Sequence, residues 1–138
     1  MLPRLPLSLA VSLLTFALVA CDGSSPTESQ SIGRLVGIWE GELAAYPSNE
    51  DWSLVRLSLV TAGTTVTGTL TSRNGVVHPV TSRNDAGTTV LEIHDLPQAA
   101  PCSVALIVER VSFTTMEGRL SGRCANTLLS DFRLSRPR

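Results

Sequence analysis

From residue 35 onward the chain alternates. Short runs rich in Val, Leu and Thr place apolar residues two apart, and turn chemistry separates one run from the next. No long stretch carries the 3.6-residue spacing of an amphipathic helix. Eight strands are predicted near 35–44, 52–61, 64–72, 76–82, 88–94, 103–110, 113–123 and 127–135. One phase of each forms an inner face. On the first strand it holds Leu35, Gly37, Trp39, Gly41 and Leu43, on the second Val55, Leu57 and Leu59, and on the third Val66, Gly68 and Leu70. Later strands add Leu91 and Ile93, then Val104, Leu106 and Val108, then Met116, Gly118, Leu120 and Gly122, then Leu128, Phe132 and Leu134. Large and small residues alternating on one face suit a tightly curved barrel, where glycine relieves crowding.

The connections support an up-and-down path. Asn74-Gly75 suits a tight primed hairpin with both central residues at positive φ, and Asn84-Asp85-Ala86-Gly87 reads as a longer version. Pro47 to Asp51 and Pro97 to Pro101 mark the two longest loops. Gly-Thr-Thr-Val recurs at 63–66 and 87–90, and Thr-Ser-Arg-Asn at 71–74 and 81–84, a spacing of strand-plus-turn units. In a meander consecutive turns lie at opposite ends, so Arg73 and Arg83 are expected apart. The expected fold is all-β: an eight-stranded, up-and-down antiparallel meander barrel over residues 34–138.

Ahead of it, residues 1–20 have the layout of a secretory signal, with Arg4 as the only charge and a mostly apolar run over 5–20. That run is shorter than the roughly 20 apolar residues that span a bilayer. It closes on Leu18-Val19-Ala20-Cys21, which resembles the lipobox of bacterial lipoproteins. The resemblance implies cleavage before Cys21, a diacylglycerol thioether on its sulfur, and anchoring in a bacterial cell envelope with the domain facing periplasm or exterior. It leaves the choice of inner or outer membrane open. The alternative is an ordinary signal cut nearby, with Cys21 incidental. Residues 22–33 are nearly all Ser, Thr, Gly, Pro and acid, which suits a flexible tether with a reach of about 20 Å.

Composition narrows the function. All eleven basic residues are arginine, against twelve acids, so no basic excess exists to track nucleic acid. Besides Cys21 the chain has Cys102 and Cys124. In an exported setting these read as a disulfide closing a ring of about 23 residues, worth about 3 kcal/mol in the chain-entropy model. Free thiols or a metal pair are the alternative, without nearby further ligands. His78 and His94 lack partners at metal spacing, and no nucleophile elbow accompanies the His94-Asp95 pair, so no metal, cofactor or catalytic residue is expected. Glu40 and Glu42 lie on an outward phase and read as a solvated face.

Gly37-Ile38-Trp39 on the first strand resembles the Gly-x-Trp opening of the lipocalin and avidin group of barrels. In lipocalins a C-terminal arginine packs across that tryptophan. The inner phase of the last strand continues to Arg136, which the resemblance makes the candidate for closing the barrel with Gly37 and Trp39. The C-terminal helix typical of lipocalins is missing here. Two functions follow, neither enzymatic. In the first, the barrel binds a small apolar ligand in a cavity lined by Trp39, Leu57, Leu106 and Phe132. In the second it is an interaction module, such as a protease inhibitor or envelope scaffold partner, acting through loops 45–51 and 96–101. An open cavity favours the first and a filled interior with an apolar loop patch the second.

Overall fold

The computed structural model describes residues 28–44, 51–96, 103–123 and 127–138. The leader 1–20, Cys21, Cys102, Cys124, loop residues 45–50 and 97–101, and the side chain of Leu128 lie outside the described residues. Eight antiparallel strands follow one another in sequence order: β1 (Gly37–Glu42), β2 (Val55–Ala62), β3 (Thr65–Thr71), β4 (Val77–Asp85), β5 (Thr88–Ile93), β6 (Ser103–Val111), β7 (Thr115–Arg123) and β8 (Thr127–Ser135). Each pairs with its sequence neighbours, and β8 closes on β1 through Glu40–Ser135, Gly41–Leu134 and Glu42–Arg133. Closure leaves no sheet edge open for pairing.

Side chains of the inner phase meet in one core. Trp39, Val55, Leu57, Leu59, Val66, Leu70, Val80, Leu91, Val104, Leu106, Met116, Leu120 and Leu134 are all buried in it. Curvature this tight brings neighbouring backbones closest at Gly68 and Gly118. A Cβ at Gly68 would lie 1.8 Å from the Ser58 carbonyl oxygen, and one at Gly118 would lie 1.9 Å from that of Ile107. Gly118 sits beside the bulge between Val108 and Arg110, where the β6–β7 register shifts.

The up-and-down path sorts the connections into two ends. One end, here the loop end, receives the β1–β2, β3–β4, β5–β6 and β7–β8 connections, including the longest ones. The other, the helix end, holds the short turns after β2, β4 and β6 together with the exit from β8.

Three features differ from the sequence expectation. Residues Glu28–Leu35, expected as tether and strand entry, form a helix, α1, packed against β2, β3 and β6 at the helix end. Ile32 and Leu35, three apart, pack on the core, and Leu35 is 1% exposed. Tertiary burial, rather than propensity, stabilises so short a helix. The first strand accordingly starts at Gly37 rather than Leu35. The primed hairpin also moves. Asn74 is not at positive φ, and the Gly75 amide donates to the Ser72 carbonyl at 2.9 Å, with Gly75 at φ +85. That is a three-residue loop with a glycine bulge. Instead Ala86 (φ 49) and Gly87 (φ 86) are the two positive-φ residues between the paired Asp85 and Thr88. Asn84 Oδ1 accepts the Gly87 amide at 2.8 Å, which holds that turn.

Candidate functional site

At the helix end Arg136 joins four segments. Its Cζ lies 4.1 Å from the centroid of the Trp39 ring, a cation–π geometry. Its Nε donates to the Phe113 carbonyl at 2.8 Å, and its Nη2 to the carbonyls of Arg34 and Val36, each at 3.0 Å. Gly37, at φ +125, has no side chain to obstruct it: a Cβ there would sit 2.1 Å from Arg136 Nη1. Trp39 in turn donates its indole N–H to the Leu35 carbonyl at 2.8 Å, satisfying the last turn of α1. Gly37, Trp39 and Arg136 thus stand together as a lid on this end. The same phase alternation that buries Phe132 and Leu134 delivers Arg136 to it.

The interior behind that lid is filled. Trp39, Leu57 and Leu106 are 0% exposed and Phe132 is 5% exposed, all four as members of the packed core. Among them only Phe132 keeps more than a trace of exposure in the described structure. The loop end is occupied too. His78 faces inward from β4 at 1% exposure, 6.4 Å between ring centroids from the buried Trp52. His78 Nδ1 donates to the carbonyl of Asp95 at 3.2 Å, and Asp95 holds φ 56. The Leu43 amide donates to the Trp52 carbonyl at 3.1 Å, which ties together the two ends of the first long connection. Sequence reading left His78 without a role. The signal was its alternation with Val80, since both share a phase.

Around this end the chain is tied by short polar contacts. Ser53 donates its amide and its hydroxyl to Asp51 Oδ1, at 3.0 and 2.5 Å. The Ser53 hydroxyl, then the Ser53 amide, and more weakly Arg73, hold the Asp51 carboxyl below the usual carboxylate range. The Arg73 amide donates to the Asp51 carbonyl at 2.9 Å, joining the β1–β2 and β3–β4 connections. Beside them Leu54, Val76 and Val77 are exposed.

The remaining sequence candidates lie on the outer wall. Glu40 pairs with Arg56 at 3.3 Å, and Glu42 is exposed. His94 Nε2 hydrogen-bonds the Thr81 hydroxyl at 2.6 Å. Arg83 pairs with Glu92 at 2.7 Å and Asp85 at 3.0 Å, away from Arg73 at the loop end. A depression of about 760 Å³ runs over β4 to β7, lined by Arg83, Glu92, His94, Ala105, Ile107 and Arg123 among others. Sequence reading missed it because an outward phase looks the same whether the wall is convex or hollowed. Among the described residues no three His, Cys, Asp or Glu side chains gather as a metal site requires. Among them, too, no helix is long and apolar enough to cross a membrane.

Comparison with known proteins supplies no relative: no family model, no curated protein and no solved structure matches this chain.

Proposed function

We propose that this protein is a lipid-anchored bacterial envelope lipoprotein whose barrel is a non-enzymatic interaction module. The anchor rests on Leu18-Val19-Ala20-Cys21 at the end of a short apolar leader. The choice of interaction over ligand carriage rests on the filled interior: Trp39, Leu57, Leu106 and Phe132 spend their surface on one another and their neighbours. Eight strands enclose a space small enough for side chains to fill, and the described inward side chains are buried against one another there. Binding a small apolar molecule among them would first require opening that core.

The contact surface in this reading is the loop end. Leu54, Val76 and Val77 are exposed there, at the end where β1 and β5 stop and β2 and β6 begin. Interface cores are built from such apolar groups ringed by polar ones, and Asp51, Ser53 and Arg73 supply the rim. A disulfide between Cys102 and Cys124 fits the same end. The two cysteines adjoin in sequence the start of β6 and the end of β7, strands that pair there through Ser103 and Arg123.

The test is photo-crosslinking in intact bacterial cells that produce the full chain, with the crosslinking residue at Val76 or, for comparison, at Ile107 on the outer wall. The reading expects one envelope protein captured from Val76 and not from Ile107. Equal capture from both positions, or none from Val76, would overturn it.

A further inference from the structure

The helix end carries an exposed aromatic that the fold does not need. Phe113 sits at the tip of the β6–β7 turn and is 76% exposed. Turn tips favour Gly, Asn, Asp and Ser, and a phenylalanine there gives nothing to the core. The turn is tied by Ser112, whose hydroxyl accepts the amides of Thr114 and Thr115 at 3.2 and 3.0 Å. Arg34 of α1 stands over the Phe113 ring, 5.5 Å from its centroid. Beside it Arg110 and Arg133 share the single carboxylate of Glu117, at 2.8 and 3.2 Å, and both guanidiniums remain largely exposed. An aromatic tip with surplus arginines around it matches the boundary between anionic headgroups and acyl chains.

Chain length says which end meets the bilayer. α1 begins at Glu28 and packs across the helix end, so the backbone leaves the barrel there. From Cys21 to Glu28 is seven residues, which span at most about 25 Å whatever their conformation. A nine-residue strand such as β8, tilted as barrel strands are, is itself about 20 Å tall. Facing the loop end to the membrane would use up nearly the whole reach, whereas the helix end rests there at no such cost. We infer that the helix end is a lipid-contacting surface, with Phe113 seated at the headgroup–acyl boundary and Arg34, Arg110 and Arg133 on lipid phosphates. The loop end with Leu54, Val76 and Val77 then points away from the bilayer. This inference rests on the lipid anchor proposed above.

The test uses the full chain produced in bacteria, extracted in detergent and reconstituted into phosphatidylethanolamine–phosphatidylglycerol vesicles with or without brominated acyl chains. Two variants, Phe113→Trp and Val76→Trp, are read against the native protein, whose Trp39 and Trp52 are buried. The expected result is that brominated lipid quenches the added Phe113→Trp emission by more than about two-fold and leaves that of Val76→Trp unchanged. Protein that floats with the vesicles while Phe113→Trp stays unquenched, or while Val76→Trp is quenched as strongly, overturns the inference and leaves the anchor standing. Protein that fails to float and carries an unmodified Cys21 overturns both.

Discussion

Replacing Arg136 by Ala removes a donor set that no neighbour replaces. Three carbonyls, of Arg34, Val36 and Phe113, lose an ionic donor, and the Trp39 ring loses its cation. Hydrogen bonds from charged groups contribute about 1.5–3 kcal/mol each, and a cation–π pair about 0.5–2 kcal/mol. Two of the three carbonyl contacts are exposed and rehydrate readily, so the terms neither sum in full nor vanish. A net loss of about 3 kcal/mol is expected. For a domain of this size, unfolding has a urea dependence of about 1–3 kcal/mol per molar, so the midpoint falls by about 1.5 M, with α1 and β8 loosened together. Arg136→Lys keeps the charge but not the fork, and recovers about half of the loss. Gly37→Ala acts on the same guanidinium, because its Cβ would lie 2.1 Å from Nη1. Its cost should therefore shrink in the Arg136→Ala background, and urea titration of the four proteins gives the coupling directly. A midpoint shift under about 0.3 M for Arg136→Ala, or strict additivity with Gly37→Ala, refutes the claim that this side chain locks the barrel.

Gly118→Ala forces a Cβ against the Ile107 carbonyl at 1.9 Å and should cost about 3 kcal/mol or prevent folding, as read by yield and thermal melting; near-native stability would contradict the close approach. Ala86→Gly relieves a non-glycine residue at φ 49 and should raise stability by about 0.5–1 kcal/mol in the same melt. Ser130 pairs with the inward Leu120, and its hydroxyl is buried with no hydrogen-bond partner among the described residues; Ser130→Ala should stabilise by up to about 1 kcal/mol, and a loss would point to a partner for that oxygen. Reduction of the purified protein should lower its stability by about 3 kcal/mol, an effect absent from the Cys102→Ser, Cys124→Ser double variant.

Alternation carried most of the fold, because a closed meander is the case where a two-residue period has one meaning. Val55, Leu57 and Leu59 face the core for the same reason that Arg56 and Val60 face out, and the strand count follows from the turns between such runs. α1 was illegible because Glu28-Ser-Gln-Ser-Ile-Gly33 has the composition of a linker. Only Ile32 and Leu35 finding the barrel's end makes it helical. The Asn74-Gly75 dipeptide misled because the loop's length is set by the Ser72–Val76 pairing rather than by the dipeptide's own preference. At the helix end, the Gly-x-Trp resemblance named the grouping of Gly37, Trp39 and an arginine, and strand phase pointed to Arg136. The contacts of Arg136 with Arg34, Val36 and Phe113 were not legible, since they depend on α1 and on the β6–β7 turn. Whether an interior is open or filled is a matter of side-chain volume against barrel radius, which a pattern of apolar positions does not encode.

The central claim is a filled barrel held to an envelope membrane through Cys21. Native mass spectrometry of the protein extracted from membranes tests it in one spectrum. The account predicts a chain that begins at residue 21, heavier by its acyl groups, lighter by the hydrogens lost in one disulfide, and carrying no additional small molecule. A mass with the leader intact and Cys21 unmodified, or a stoichiometric apolar passenger, would contradict it.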